Sequence, residues 1–391
     1  MEDNRPKIKP SHRSNLIQEY YFSKKLKEVD DMRKNGADII NLGIGSPDLP
    51  PSDETLNELK VSSYNPVNHG YQSYYGIPEL RNAFAVWYSK YFNVELNPAN
   101  EIPPLIGSKE GIMHITMAYV NAGDKVLVPD PGYPTYTSVT KLAGGEILNY
   151  KLREENSWYP DFDEIEKLDL TDVKIMWVNY PHMPTGQKAT RSLFSRLVEF
   201  GHKHNILICN DNPYSFILNE DYLSIFSADG AKDIALELNS LSKSHNMPGW
   251  RVGMVAGNSE FIANIIKVKS NMDSGMFKPL QLAAAKALNC DSGWYDSINE
   301  VYKLRRVIAE SILTKLNCTF DKNQSGLFLW GKVHSRYRTG EELADLLLYK
   351  ANVFVTPGKV FGCQGEEYIR ISLCATEEKL KITLKRIEKL I

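Results

Sequence analysis

The sequence predicts an α/β protein with a mainly parallel sheet, followed by a smaller α+β lobe. Short β-rich apolar runs alternate with longer helical patterns, which is typical of parallel strands joined by crossover helices. From about Cys318 onward the order changes to short strands interspersed with two helices. We therefore expect an N-terminal arm with part of the small domain at residues 1–44, a large domain at 45–290 and a small C-terminal domain at 291–391.

Each element is predicted from a local pattern with a Gly, Pro, Asn or Asp cluster beside it. The segment before Asn41 is expected to fold back onto the lobe or to reach a partner subunit. The predicted strands are Lys125–Pro129, Val173–Asn179, Ile206–Asn210, Ile234–Leu238, Val252–Ala256, Gly326–Val333, Val353–Thr356 and Tyr368–Leu373. The predicted helices are Pro78–Tyr91, Lys109–Val120, Arg191–His204, Glu260–Lys269, Ser297–Leu316, Gly340–Tyr349 and Glu377–Leu390.

Composition excludes several classes of protein. The 391 residues are 42% hydrophobic and 24% charged, which excludes a disordered or collagen-like chain. A formal net charge of −2 gives no general electrostatic case for binding nucleic acid or a membrane surface. The five cysteines form no CxxC pair, and no apolar run approaches the roughly 18 residues of a membrane span. These features predict a cytoplasmic protein without a disulfide framework.

Three familiar motifs are incomplete here. Gly326–Lys332 has the spacing of a Walker A loop, but Val333 replaces the hydroxyl residue that would bind Mg²⁺, and the residues between the glycines are bulky. Gly43-Ile-Gly45 lacks the third glycine of a dinucleotide fingerprint. His202 and His204 lie at a predicted helix end, where a solvated face is the simpler interpretation, and we expect no metal site.

The segment from Asn239 to Gly253 is more informative. It follows a predicted strand, is dense in small and hydroxyl residues, and contains Lys243 and Arg251. Hydroxyls, loop amides and an arginine suit a phosphate, and a lysine beside them can form a Schiff base with an aldehyde cofactor. A lone SxxK would be read as a surface loop, but the whole segment favours a cofactor site.

This segment resembles the cofactor-lysine motif of the class I/II aminotransferases, which are fold-type I enzymes that use pyridoxal 5′-phosphate. Other motifs match in the family's order over roughly residues 35 to 390. The resemblance implies a seven-stranded, mainly parallel sheet in a large cofactor-binding domain. It also implies that Lys243 binds the cofactor aldehyde and that its phosphate is held by Ser240, Arg251, Ser108 and Lys109. The last two would begin a helix, whose N-terminus favours an anion.

Four further positions match the family's cofactor site. Tyr133, in Asp-Pro-Gly-Tyr-Pro, would stack on the pyridine ring, with ordinary core packing as the alternative. Asp211 would pair with the protonated pyridine nitrogen, although it could instead cap a turn. Tyr214 would hydrogen-bond the ring oxygen, and Lys243, Asp211 and Tyr214 together would be the catalytic residues. Tyr71 matches a tyrosine that crosses to a neighbour's phosphate, which implies a homodimer with shared active sites.

The resemblance also implies two substrate-binding residues and one departure. Arg370 would bind the substrate α-carboxylate in a bidentate manner, and the backbone of Gly45 would approach the same group. Where the family usually has a second asparagine that donates to the ring oxygen, this chain has Met183, and a thioether cannot donate. The neighbouring His182 or Tyr214 could compensate.

These residues predict an aminotransferase that moves an amino group between an L-amino acid and a 2-oxo acid. Two alternatives remain open at this point. A carbon–sulfur β-lyase would use the same site residues, and a non-catalytic cofactor-binding protein would explain Met183. The amino donor and the acceptor are not determined, with a slight resemblance around Ser108–Gly111 and Leu42–Pro51 to the diaminopimelate and alanine aminotransferase subgroup.

Overall fold

The computed structural model describes residues 8–17, 19 and 21–390. Fourteen α-helices lie in this part of the chain, and none of them combines the length and the apolar character needed to cross a bilayer. The helices are α1 (His12–Asn15), α2 (Tyr21–Lys34), α3 (Asp53–Ser63), α4 (Pro78–Phe92), α5 (Ser108–Tyr119), α6 (Pro134–Ala143), α7 (Phe162–Ile165), α8 (Arg191–His204), α9 (Leu241–Ser244), α10 (Ser259–Lys269), α11 (Lys278–Leu288), α12 (Ser292–Lys315), α13 (Gly340–Ala351) and α14 (Glu377–Leu390).

A seven-stranded sheet is the centre of the fold, and six of its strands run in one direction. The exception is β8, which is antiparallel to both of its neighbours. The order across the sheet is β2-β8-β7-β6-β5-β3-β4. The strands are β2 (Pro104–Leu105), β3 (Lys125–Asp130), β4 (Glu146–Lys151), β5 (Val173–Val178), β6 (Leu207–Asp211), β7 (Ala235–Ser240) and β8 (Gly253–Ala256). The predicted α/β class with a mainly parallel sheet is confirmed.

The C-terminal lobe contains a separate three-stranded antiparallel sheet in the order β11-β12-β9. Its strands are β9 (Phe328–Lys332), β11 (Thr356–Pro357) and β12 (Tyr368–Ser372). A two-stranded parallel pair joins β1 (Ile40–Asn41) to β10 (Val353–Phe354). The N-terminal segment therefore folds back onto the lobe, where Val29 of α2 packs against Leu348 and Phe354.

Several elements differ from the sequence-based expectation. The elements that were not predicted are helices α1, α2, α3, α6, α7, α9 and α11 and strands β1, β2 and β4. The strand β4 was missed because it lies at the sheet edge and has mostly half-exposed side chains, so it lacks an apolar run. Helix α12 begins at Ser292 and not at the predicted Ser297. The Ser-Gly pair at 292–293 resembles a turn, but the buried Tyr295 hydroxyl accepts from Trp87 Nε1 at 2.8 Å and fixes an extra helical turn.

Candidate active site

A cavity of about 640 Å³ lies at the C-terminal ends of β6 and β7, where the large sheet meets the lobe. Open α/β sheets place ligands at this edge because loops from several parallel strands converge there. The cavity brings together ten of the residues predicted from the sequence: Gly45, Ser108, Lys109, Tyr133, Asp211, Tyr214, Ser240, Lys243, Arg251 and Arg370. Tyr71 lies elsewhere, on a loop where its side chain is 92% exposed.

Lys243 projects into this cavity from the short helix α9. Its Nζ donates a hydrogen bond to the carbonyl oxygen of Gly45, so the amine is held at the loop that follows β1. Burial lowers the pKa of Lys243, and the positive charges of Arg370 and Arg251 act in the same direction against an opposing effect of Cys374. A lysine with a lowered pKa is more readily neutral, which is the nucleophilic and basic form of the amine.

An anion-binding corner lies at the start of α5. Gly107 is the N-cap of that helix at φ +80°, and glycine offers no side-chain oxygen to the first-turn amides. The Arg251 guanidinium lies against it, since a Cβ on Gly107 would be only 2.1 Å from Arg251 Nη2. Ser242 Oγ lies 3.5 Å from Arg251 Nη1 and 2.9 Å from Ser240 Oγ. Amides, hydroxyls and an arginine thus converge as a phosphate requires.

Asp211 ends β6 as a buried carboxylate. Tyr136 donates its hydroxyl proton to Asp211 Oδ2 at 3.0 Å, and Asn179 donates to the Asp211 backbone oxygen. The other oxygen, Oδ1, is buried and has no hydrogen-bond partner among the described residues. Burial raises the pKa of Asp211 to about 7, with the Glu237 charge adding to the rise and the Tyr136 hydrogen bond opposing it. A cationic partner on Oδ1 would restore the ionised form.

Tyr133 and Tyr214 supply the aromatic walls. Tyr133 follows β3, and its ring meets the ring of Tyr136 edge-on at 5.7 Å. Tyr214 lies three residues after Asp211 with its ring 6.0 Å from that of Phe328, and burial raises the pKa of its hydroxyl. That hydroxyl therefore remains a proton donor at neutral pH, as a hydrogen bond to a ligand oxygen requires.

Arg370 is buried on β12 and faces the cavity. Its Nη2 donates to the carbonyl oxygen of Gly43 at 2.8 Å, and its Nη1 lies 3.1 Å from the Met183 sulfur. Met183 therefore contacts the arginine that would hold the substrate. His182 lies in the same turn with Nδ1 2.8 Å from Thr185 Oγ1, and it is not among the described residues that line the cavity.

Sequence reasoning missed three features of this site. Tyr136 was not assigned a role, although it lies three residues after Tyr133 and therefore on the same face of α6, one turn further along. Ser242 was not distinguished from the other hydroxyl residues around Lys243. The contact between Met183 and Arg370 joins positions 187 residues apart, so no local signal could have revealed it.

The residues present fit pyridoxal 5′-phosphate. The buried Asp211 Oδ1 suits a pyridinium N–H, the glycine-capped helix with Arg251 suits a phosphate, and the Lys243 amine suits an aldehyde. All three groups line one cavity on a mainly parallel sheet. This combination defines a pyridoxal-phosphate enzyme of the fold-type I architecture.

Comparison with known proteins then gives the family. Residues 37–387 match the model of the aminotransferase class I and II family, and the chain belongs to that family. It is a pyridoxal-phosphate-dependent aminotransferase that transfers an amino group between an amino acid and a 2-oxo acid.

Curated relatives extend over nearly the whole chain. The chain is 42% identical to an LL-diaminopimelate aminotransferase of Dehalococcoides mccartyi, over 96% of this chain and 97% of that protein. It is 40% identical to the protein of the same name in Aquifex aeolicus, over 97% and 98% of the two chains. Among solved structures, apo-BacF from Bacillus subtilis superposes with a TM-score of 0.94 at 35% identity, with 98% of both chains covered. Aspartate aminotransferase of Thermus thermophilus has a TM-score of 0.91 at 22% identity, which shows the fold alone.

Proposed function

We propose that Lys243, Asp211 and Tyr214 are the catalytic residues of this aminotransferase and that Arg370 holds the substrate. The observation that carries the proposal is that Lys243 and the buried Asp211 line one cavity together with the anion-binding corner at α5. When bound, pyridoxal phosphate supplies an aldehyde and an electron-withdrawing ring. Overall, the donor amino acid becomes a 2-oxo acid and the acceptor 2-oxo acid becomes an amino acid, so atoms and electrons balance without an external oxidant.

Lys243 has two tasks in this proposal. It would hold the cofactor through its aldehyde, and as a free amine it would accept the proton from the substrate Cα. A lowered pKa supports the second task, because a base works best when its pKa is near the operating pH. The Gly45 carbonyl accepts a hydrogen bond from Nζ and so orients the amine.

Asp211 and Tyr214 set the charge around the cofactor ring. Asp211 would hold the pyridinium N–H at its buried Oδ1 and, in the ionised form, would favour the protonated ring, whose positive charge can stabilise negative charge at the substrate Cα. Tyr214 would donate to the ring oxygen in place of the donor that Met183 cannot supply. Tyr133 is the stacking residue, and Ser108, Lys109, Ser240 and Arg251 bind the phosphate.

Arg370 is placed to bind the substrate α-carboxylate. Its guanidinium is buried and anchored by the Gly43 carbonyl, so its orientation is set before the substrate arrives. A bidentate pair with a carboxylate needs such a planar fork, which lysine lacks. Gly45 lies at the same loop, where a Cβ would come within 2.1 Å of Phe328 Cζ.

The assembly and domain division belong to the same proposal. Tyr71 is 92% exposed, and Val67, Tyr64 and Phe277 are also exposed apolar side chains, as a surface that pairs with a second copy would have. We propose a homodimer in which Tyr71 reaches the partner's phosphate.

We also propose a division of the chain into an arm at 1–44, a cofactor-binding domain at 45–290 and a small domain at 291–391. The separation of the seven-stranded sheet from the three-stranded sheet supports this division. A cytoplasmic location is proposed from the composition.

The Lys243→Ala variant tests the catalytic assignment. Borohydride reduction of the wild-type holoenzyme should leave the cofactor on the peptide that contains residue 243, as read by mass spectrometry, and Lys243→Ala should lose both this label and multiple turnover. Lys303→Ala is the matched control, because Lys303 is 60% exposed and lies on α12. Arg370→Ala should chiefly raise KM for the amino acid. Unchanged turnover in Lys243→Ala would overturn the assignment.

A further inference from the structure

We propose that the substrate of this enzyme carries an apolar, preferably aromatic, side chain, and not the charged distal group of diaminopimelate or glutamate. The inference rests on the proposed function of the site and goes beyond it to the substrate class. The inference is based on the residues of the cavity lining that are not assigned to the cofactor or to the substrate α-carboxylate.

An apolar wall surrounds the carboxylate-binding arginine. The Arg370 guanidinium carbon lies 3.8 Å from the ring centroid of Phe328, 4.5 Å from that of Phe361 and 5.7 Å from that of Phe22. A substrate whose carboxylate binds Arg370 therefore has aromatic rings beside its Cα. Burying a phenyl side chain there is favourable because its apolar surface leaves water.

Further residues of the cavity lining, on α2 and on the loop after β1, are also apolar. Phe22 and Leu26 lie four residues apart on α2, so both side chains project from one face of that helix into the cavity. Ile44 faces them from the loop that follows β1. The exposed Ser23 is the one hydroxyl that α2 adds to the described lining.

The charged residues in the described lining all have other tasks. Its four cations are Lys109 and Arg251 at the phosphate corner, Lys243 at the aldehyde and Arg370 at the α-carboxylate, and its single anion is Asp211. A second carboxylate on the substrate would be desolvated without a cation, and a distal amine would lack an anion. Either loss weakens binding, because burying an unpaired charge is unfavourable. Tyr71, which is proposed to arrive from a second copy, is uncharged, and so are the other residues from Gly70 to Tyr75.

The relatives named LL-diaminopimelate aminotransferase therefore share this chain's reaction without defining its substrate. At about 40% identity, more than half of the aligned positions differ, so a shared reaction does not require a shared side-chain pocket. Specificity is a difference between two binding free energies, and a missing cation is sufficient to reverse it.

Two measurements on the holoenzyme test the proposal. The first compares kcat/KM for L-phenylalanine, LL-diaminopimelate and L-glutamate as amino donors with a saturating 2-oxo acid, and L-phenylalanine should exceed both others by at least tenfold. The second measures calorimetric binding of unreactive 3-phenylpropionate and glutarate, and 3-phenylpropionate should bind at least tenfold more tightly. Preference for LL-diaminopimelate, L-glutamate or glutarate overturns the substrate class. A failure of every donor, L-alanine included, overturns the proposed function instead.

A variant locates the effect on the apolar wall. Leu26→Ala removes part of the wall from a half-buried position, so it should lower kcat/KM for L-phenylalanine about fivefold and leave that for L-alanine within twofold. Val86→Ala, at a 60% exposed position on α4, is the matched control and should change neither value. An equal loss for both donors in Leu26→Ala would contradict a role in side-chain recognition.

Discussion

The hydroxyl of Tyr136 is the one side-chain donor to the Asp211 carboxylate in the described part of the chain. Tyr136 is fully buried and stacks on Trp177 with ring centroids 5.0 Å apart, so its geometry is fixed by packing. The hydrogen bond stabilises the ionised carboxylate and therefore lowers its pKa. Tyr136 is thus a positioning residue that acts through Asp211.

Tyr136→Phe should weaken cofactor retention while the fold is kept. Hydrogen bonds to charged groups contribute about 1.5–3 kcal/mol, so the dissociation constant for pyridoxal phosphate should rise roughly 10- to 100-fold. Fluorescence titration of the cofactor-free protein measures this change. Tyr150→Phe is the control, because that buried hydroxyl donates instead to the Trp177 carbonyl at 2.7 Å. Equal losses in the two variants would assign the effect to general packing.

Asp211 makes the stability of the cofactor-free protein depend on pH. Its pKa rises from an ordinary 3.8 to about 7 on folding, so between these values the folded chain holds a proton that the unfolded chain has released. Stability from this group is therefore fully present below pH 4 and is lost as the pH rises to about 7. Asp211→Asn should remove this dependence. The free energy of unfolding of the variant, compared with that of the wild type, should therefore rise between pH 4 and 7. Urea unfolding at a series of pH values measures the difference, and parallel curves would contradict the raised pKa.

At the scale of elements, the N-terminus of α5 depends on a glycine. Gly107→Ala meets two obstacles, the positive φ of +80° and the collision with Arg251. We expect the Arg251 guanidinium to be displaced and the affinity for pyridoxal phosphate to fall at least tenfold. Gly123→Ala is the matched control, because Gly123 has φ +90° but no atom within 4 Å of the added Cβ. Similar cofactor affinities in the two variants would show that backbone strain alone matters.

Elements with a strong local signal were predicted well from the sequence. The bounds of α8 and α14 agree with the prediction, because each has a clear period of apolar residues. Helix α2 and strand β4 are among the elements that were not predicted. Few side chains of α2 are buried, and β4 lies at an edge, so neither carries a sufficient apolar period.

At the scale of the whole molecule, a bidentate ion pair ties the loop after β1 to the lobe. Arg305 of α12 is buried, and its two terminal nitrogens lie 2.6 and 2.9 Å from the carboxylate oxygens of Asp48. Arg305 also donates to the Leu373 carbonyl at 3.1 Å. The loop that this pair holds carries Gly43 and Gly45, whose carbonyls orient Arg370 and Lys243.

Asp48→Ala should therefore affect both stability and substrate binding. It leaves a buried arginine without its carboxylate, which should lower the free energy of unfolding by about 2 kcal/mol once partial exposure of Asp48 is considered. KM for the amino acid should rise more than kcat falls, since the loop positions Arg370. Adding Arg305→Met to this variant should recover part of the stability but not KM. If the double variant were less stable than Asp48→Ala, the ion pair would not be the cause.

The candidate site was largely predictable because its residues occur in short motifs at fixed distances along the chain. Ten of the predicted positions line one cavity. Most of them lie beside a strand or helix end, and Arg370 lies within β12. The partners of those residues were not predictable. A sequence motif carries information only about residues close together along the chain, whereas these contacts join distant segments. They are the contacts of Gly45 with Lys243, Met183 with Arg370 and Tyr136 with Asp211.

The sequence by itself determined the α/β class, the elements with a clear apolar period, the residues that suit a phosphate and an aldehyde, and the resemblance to an aminotransferase. It could do so because apolar period and residue type are local properties of the chain. Only the tertiary structure decided which side chains surround Arg370, and the proposed substrate class rests on that arrangement. That surrounding is assembled from α2, β9 and the loop after β11, which meet only when the N-terminal segment packs against the lobe.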